Sequence, residues 1–151
     1  MGMSIPVVWT QQVTDAIKVR PKALAPAVLV VDDETPICTF VSRVLQAAGY
    51  DVVVAGSGAE ALERFKDMTR CDLVVTDLMM PNMNGDELAR RLRCDRPDVK
   101  VLYLTGFSDK LFAEKMMLWD GEAFLDKPCS PKGVIEGVSL LLSGHTASTV
   151  H

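Results

Sequence analysis

Three aspartates, a threonine and a lysine carry the chemistry this sequence offers, and each follows a short apolar run. Asp32 and Asp33 follow Ala27-Val28-Leu29-Val30-Val31, and Asp77 follows Leu73-Val74-Val75-Thr76. Thr105 ends Val101-Leu102-Tyr103-Leu104, and Asp126-Lys127 follow Ala123-Phe124-Leu125. Brought to one rim, three carboxylates repel one another and call for a cation. Carboxylate and water oxygens suit Mg²⁺ or Mn²⁺ rather than zinc. A lysine ammonium opposite such a metal can clamp oxygens of a phosphoryl group, and a threonine hydroxyl can donate to another. A carboxylate is already ionised and needs no general base. Metal, lysine and hydroxyl around Asp77 therefore describe a site that accepts a phosphoryl group by in-line displacement. Turn or cap duty explains one acid at such a place, not three.

The elements that must bring these residues together alternate between two periods. The apolar runs fit strands covered on both faces, as in a parallel sheet, with a further strand at Asp51-Val52-Val53-Val54-Ala55. Between them, Ile37, Phe40, Val41, Val44, Leu45 and Ala48 recur at helical spacing and stop at Gly49. Ser57 and Glu60 have capping-box spacing before a helix through Leu62 and Phe65. Asn84 with Glu87 starts a helix over about 86–94, and Ser108 one over about 109–119. Ser130-Pro131 opens the last, with its stripe of Val134, Ile135, Val138, Leu141 and Leu142. Five strands alternating with five helices predict a doubly wound α/β domain with right-handed crossovers. Ligands of such sheets gather outside the carboxyl ends of the strands, where the five chemical residues stand.

Composition narrows the alternatives. The 151 residues suit one domain, and 48% hydrophobic content argues against disorder. The net charge of -4 divides into +2 over residues 1–26 and -6 over the rest. So acidic a body is a poor binder of nucleic acid or anionic membrane, and the length leaves no room for a DNA-reading module. Output is therefore expected to pass through a protein partner. Cys38, Cys71, Cys94 and Cys129 form no CxxC pair and read as reduced thiols, three of them packed as small hydrophobes. With no signal peptide and no apolar run near 18 residues, the expected location is cytoplasmic. Residues 1–26, with Val7-Val8-Trp9 a possible docked strand, read as a leader or linker, 27–143 as the domain, and 144–151 as a flexible tail whose His145 and His151 have no chemical role.

Taken in order, Val30-Val31-Asp32-Asp33-Glu34, Asp77-Leu78-Met79-Met80-Pro81 with Gly85, Leu104-Thr105-Gly106 and Phe124-Leu125-Asp126-Lys127-Pro128 resemble the receiver domain of two-component response regulators over about residues 26–143. The resemblance implies a flavodoxin-like receiver fold with strand order 2-1-3-4-5. It implies Asp77 as phosphoacceptor, Asp33 as a direct Mg²⁺ ligand, Asp32 as one partly through water, and the Met79 backbone carbonyl as a further ligand. Thr105 would be the switching hydroxyl, Phe124 the aromatic that turns inward with it, and Lys127 the phosphate-binding lysine, cis to Pro128. A histidine kinase or histidine phosphotransfer protein would supply the phosphoryl group. The face of the fourth helix, fifth strand and fifth helix would carry the message, and a homodimer through the last two helices is a further option. Such a protein undergoes slow self-dephosphorylation but is not a turnover enzyme.

Cys129 departs from the phenylalanine common in the family after the Lys-Pro pair, leaving a small residue or an oxidisable thiol there. Met79 and Phe107, both apolar beside the acceptor, predict a long-lived phosphoryl state by obstructing water. Three rivals share parts of the pattern. A dinucleotide-binding domain has only Gly56-Ser57-Gly58, and its pyrophosphate would meet Asp32 and Asp33. An aspartyl-phosphate phosphohydrolase lacks length for a substrate-covering cap. A non-phosphorylated interaction scaffold would have no use for the intact acidic set. A stand-alone regulator and a receiver excised from a longer protein share the same site chemistry.

Overall fold

The computed structural model describes residues 25–144, so the Val7–Trp9 segment, His145 and His151 lie outside the described residues. Five parallel strands, β1 (Ala27–Val31), β2 (Asp51–Ala55), β3 (Leu73–Asp77), β4 (Lys100–Thr105) and β5 (Glu122–Asp126), form one sheet in the order β2-β1-β3-β4-β5. They alternate with helices α1 (Thr35–Ala47), α2 (Gly58–Asp67), α3 (Gly85–Asp95), α4 (Lys110–Lys115) and α5 (Pro131–Leu142). This is the doubly wound α/β architecture expected from the alternation, with the flavodoxin-like strand order that the resemblance implied.

Strand periodicity divides the core between the two faces of the sheet. Val28 and Val30 of β1 join Val41 and Leu45 of α1 and Val134 and Val138 of α5 on one side. Leu29 and Val31 join Phe65 of α2 and Leu88 and Leu92 of α3 on the other. A third cluster, Leu78, Ala89, Val101 and Tyr103, carries Phe112, Met116 and Phe124 at its edge. The apolar stripe of α5 is thus used on its own sheet. No helix among the described residues is long and apolar enough to cross a membrane.

Two of the expected caps form as bonds. Ser57 Oγ accepts from the Glu60 N–H at 3.1 Å, and Ser130 Oγ accepts from the Gly133 N–H at 3.0 Å. The Glu60 carboxylate accepts from Gly56 N–H at 2.8 Å, one residue before the place a capping box would put it. Asn84 stands at the N-cap of α3 without a side-chain cap bond; its Oδ1 accepts instead from Met80 N–H.

The fourth helix departs most from expectation. In place of a helix over 109–119, a 3₁₀ turn (Phe107–Asp109) leads into α4, which ends at Lys115. The cap is not Ser108: the Asp109 carboxylate accepts from the Gly106 N–H at 2.9 Å. The early end has a tertiary cause. Trp119 N–H donates to Glu122 Oε1 at 2.9 Å, Glu122 N–H returns a bond to the Trp119 carbonyl, and Gly121 turns the chain at φ +84°. A helix continued through 116–119 would forfeit these bonds. Cys38 and Cys71 are buried, Cys129 half-buried and Cys94 exposed, so two thiols rather than three are fully packed, and all four are free.

Candidate functional site

Strand order reverses between β1 and β3, and the crevice this creates opens at the carboxyl ends of the two strands. Asp32 and Asp33 leave β1 there, and Asp77 is the last residue of β3. One carboxylate oxygen of each lies within 4.8 Å of the other two, with Asp32 and Asp77 buried and Asp33 exposed. The backbone holds this arrangement closely. Asp32 N–H donates to the Ala55 carbonyl and Leu78 N–H to the Leu104 carbonyl, which fixes the turns after β1 and β3. Gly85, at the start of α3, passes so near β3 that a Cβ there would stand 2.4 Å from the Asp77 carbonyl oxygen. No other residue fits at that approach.

Lys127, at the end of β5, reaches into the same crevice. Its Nζ lies 3.1 Å from Asp32 Oδ2, 3.3 Å from Asp77 Oδ1 and 3.5 Å from Glu34 Oε1. The Lys127 N–H donates to the Thr105 carbonyl at 2.8 Å, which anchors the lysine to β4, and the Lys127–Pro128 peptide is cis. Asp32 Oδ1 accepts from the Glu34 N–H at 2.9 Å, whereas buried Oδ2 has the Lys127 ammonium at 3.1 Å as its ion-pair partner and no other donor.

These surroundings raise both buried acids. Burial pushes the Asp77 carboxyl up to about 7, helped by the negative charge of Asp32 and opposed by Lys127. Burial also raises Asp32, against the Glu34 N–H and Lys127. Burial would lower Lys127, but its contacts with Asp32 and Asp77 outweigh this and hold it at about 12. Two acids that resist ionisation together, one lysine shared between them and one buried oxygen with no other donor form a site short of positive charge. An all-oxygen donor set with that deficit fits a hard divalent cation such as Mg²⁺.

Thr105 and Phe124 stand further off. Thr105 is buried, and its hydroxyl donates to Asp126 Oδ1 at 3.0 Å. Phe124 is half-buried, its ring centroid 5.8 Å from that of Tyr103. Met79, two residues beyond Asp77, is 41% exposed, whereas Phe107 is 87% exposed with the Lys110 ammonium over its ring. Phe107 is thus turned to solvent and does not cover the carboxylate, contrary to the expected pair of shields. Burial raises the Cys129 thiol despite the nearby lysine, so no activated thiolate stands beside the site.

Sequence reasoning assigned no role in the site to three acids around this rim. Glu34 faces Lys127, Asp126 holds Thr105, and the charge of buried Asp109 adds to the upward shift of Asp77. The Glu34 signal was its place in the Asp32-Asp33-Glu34 run. Nothing local marks Asp109, which reads as one more helix-start acid.

The profile described as the response regulator receiver domain matches residues 28–139. Over 116 residues the chain is 38% identical to the sensor kinase CckA of Brucella abortus, covering 76% of this chain and 12% of that protein. It is 36% identical over 116 residues to the alkaline phosphatase synthesis transcriptional regulatory protein PhoP of Bacillus subtilis, again 76% of this chain but 48% of that one. The chain therefore spans half or less of these two relatives. A solved structure of a response regulator receiver protein from Sinorhizobium medicae superimposes with a TM-score of 0.70 at 30% identity, covering 80% of this chain and 97% of that one. With the fold, the acidic triad at its crevice and this match over most of its length, the chain belongs to the response regulator receiver domain family of two-component systems.

Proposed function

We propose that Asp77 accepts a phosphoryl group from a phosphohistidine of a histidine kinase or histidine phosphotransfer protein. The observation that carries this is one ammonium, Lys127 Nζ, within 3.3 Å of both Asp32 and Asp77 in a crevice that gathers three carboxylates. Asp32, Asp33 and Asp77, with the Met79 backbone carbonyl, would hold Mg²⁺, or Mn²⁺. The bound ion supplies charge neutralisation among the acids and polarises a phosphoryl oxygen. An ionised Asp77 oxygen attacks phosphorus, the P–N bond to the imidazole breaks, and the imidazole leaves with its electron pair and takes up a proton. Lys127 is placed to follow the transferring oxygens, having exchanged its carboxylate contacts for phosphoryl ones. Thr105 leaves Asp126 to donate to the new phosphoryl group, and Phe124 moves into the room behind it. The chain then acts as a stoichiometric switch, not as a turnover enzyme, signalling through the face of α4, β5 and α5 to a protein partner, with a homodimer as one form of that partnership. Residues 27–143 are the unit proposed to carry this.

Incubating the full chain with Mg²⁺ and acetyl phosphate tests the reading by intact mass. One phosphoryl group per chain is expected, not formed when the metal is chelated beforehand and absent from Asp77→Asn. Modification that persists in Asp77→Asn, or release of many phosphates per chain, would overturn it.

A further inference from the structure

The segment 107–119 holds four of the six exposed large hydrophobic side chains among the described residues: Phe107, Leu111, Met117 and Trp119, at 87, 74, 85 and 68% exposure. Scattered apolar residues on a surface need no explanation, but two of these, Met117 and Trp119, line the same groove. Helix α4 itself buries no residue. Between α4 and α3 lies this groove of about 290 Å³, lined also by Arg90 of α3, Tyr103 of β4, and Phe112, Lys115 and Met116. Its volume falls just under the roughly 300–1,000 Å³ of small-molecule pockets. It suits a few side chains of a protein segment better than a cofactor. Methionine walls adapt to an incoming shape, and an exposed tryptophan on a firm floor is the usual anchor of a protein interface. The floor is firm: the Tyr103 hydroxyl donates to buried Glu122, and its ring packs on Phe124.

Charge selects the occupant. The only acid lining the groove, Asp86, is already paired with Arg90 at 3.3 Å, and Lys115 has no ion pair among the described residues. The rim is therefore net positive on a chain whose net charge is -4. One spare lysine is too little for a phosphate backbone but enough to favour carboxylates over ammonium groups at the edge of an apolar contact. We propose that the α3–α4 groove docks an apolar segment of a partner protein flanked by acidic residues. This surface lies on the α3 side of α4, apart from the α4–β5–α5 face. It is present with Asp77 unmodified, so its occupancy can be tested without phosphoryl transfer.

Trp119 is one of two tryptophans, so Trp9→Phe in the full chain leaves it as the sole tryptophan, excited selectively over the two tyrosines. Two synthetic amphipathic peptides, with one Leu/Phe core and either Glu or Lys flanks, are titrated without metal or phosphodonor. The Glu-flanked peptide is expected to give a saturable blue shift, with amide shifts confined to α3 and residues 107–119. Binding of the Lys-flanked peptide should be about tenfold weaker, a difference of about 1.4 kcal/mol. Lys115→Glu, a surface change whose fold is checked by its unfolding midpoint, should reverse the preference. No saturable shift with either peptide, equal binding of both, or amide shifts centred on α5 would overturn the proposal. So would sedimentation showing a dimer that Trp119→Ala dissociates, since a second copy would then cover the groove.

Discussion

Thr105 and Asp126 face each other across the β4–β5 ladder, and the Thr105 hydroxyl donates to Asp126 Oδ1 at 3.0 Å. The hydroxyl proposed to answer the phosphoryl group is therefore already engaged, by an exposed carboxylate at the edge of the sheet. Moving it costs that bond, so Asp126 stabilises the unmodified arrangement in a two-state balance.

Asp126→Ala should accordingly tip the balance toward the modified form. A hydrogen bond to an exposed partner contributes about 1 kcal/mol, or roughly a fivefold change in equilibrium. Beryllofluoride affinity, measured in the presence of Mg²⁺, is expected to rise by about that factor. Thr105→Val should remove the gain, because no hydroxyl remains to be released. Unchanged affinity in Asp126→Ala would mean that the bond does not hold the switch.

The buried acids make stability depend on pH in a direction opposite to that of most aspartates. Asp77 titrates near 7 in the folded chain and near 3.9 when unfolded, so between those values the folded state binds more protons. Its favourable share of stability is complete below about pH 4 and is lost as pH rises through about 7. Asp32 is shifted the same way. Without metal, the urea midpoint should fall between about pH 5.5 and about pH 8, and Mg²⁺ should flatten the fall by favouring the ionised carboxylates. Asp77→Asn should reduce the slope and stabilise the metal-free chain by about 1–2 kcal/mol near pH 8. A slope identical in the variant would refute the assignment to Asp77.

How much of this was written locally in the sequence depends on what fixed each feature. Strands buried on both faces leave continuous apolar runs, so Val28 to Val31 and Leu73 to Val75 could be read directly, as could the acids that end them. The Ser57 and Ser130 caps were equally legible, because a cap bonds within three residues. Features set by distant partners were not. The helical spacing of apolar residues runs on toward Trp119, and only the bonds to Glu122 reveal why α4 stops. Glu122 itself begins a strand that reads as Ala123-Phe124-Leu125, while the groups that satisfy it, Tyr103 and Arg93, come from β4 and α3. Of the site, the acids and lysine were visible as residues at strand ends, but the Thr105–Asp126 pairing belongs to the β4–β5 register.

Glu122 makes a second stability test. It is 1% exposed and accepts from Arg93, the Tyr103 hydroxyl and the Trp119 N–H. Removing one partner of a buried pair leaves the other uncompensated, at a cost of about 3–5 kcal/mol. Arg93 keeps a route to solvent and a bond to the Val99 carbonyl, so Glu122→Ala should cost about 3 kcal/mol, at the lower end. Hydrogen exchange at residues 116–120 should accelerate in the same variant, because the Trp119 N–H loses its acceptor. A loss below about 1 kcal/mol with unchanged exchange would show that the network does not anchor the end of α4.

The lifetime of the phosphoryl group distinguishes the two apolar residues that sequence reasoning treated together. Hydrolysis needs a water in line with the phosphorus, and a polar side chain at the rim can orient one. Met79 stands two residues beyond Asp77 and is partly covered, whereas Phe107 is turned out toward solvent under the Lys110 ammonium. Met79→Asn should therefore speed dephosphorylation by about tenfold, well short of the roughly 10²–10⁴-fold contributed by a positioned general base. Phe107→Glu should change the rate by less than about threefold, since its side chain starts outside the site and its new charge is screened by water. Loss of label from phosphorylated chain after removal of the phosphodonor gives both rates. If Phe107→Glu proved as fast as Met79→Asn, the aromatic ring must fold over Asp77 once the phosphoryl group is in place, and the outward position of Phe107 would belong only to the unmodified state.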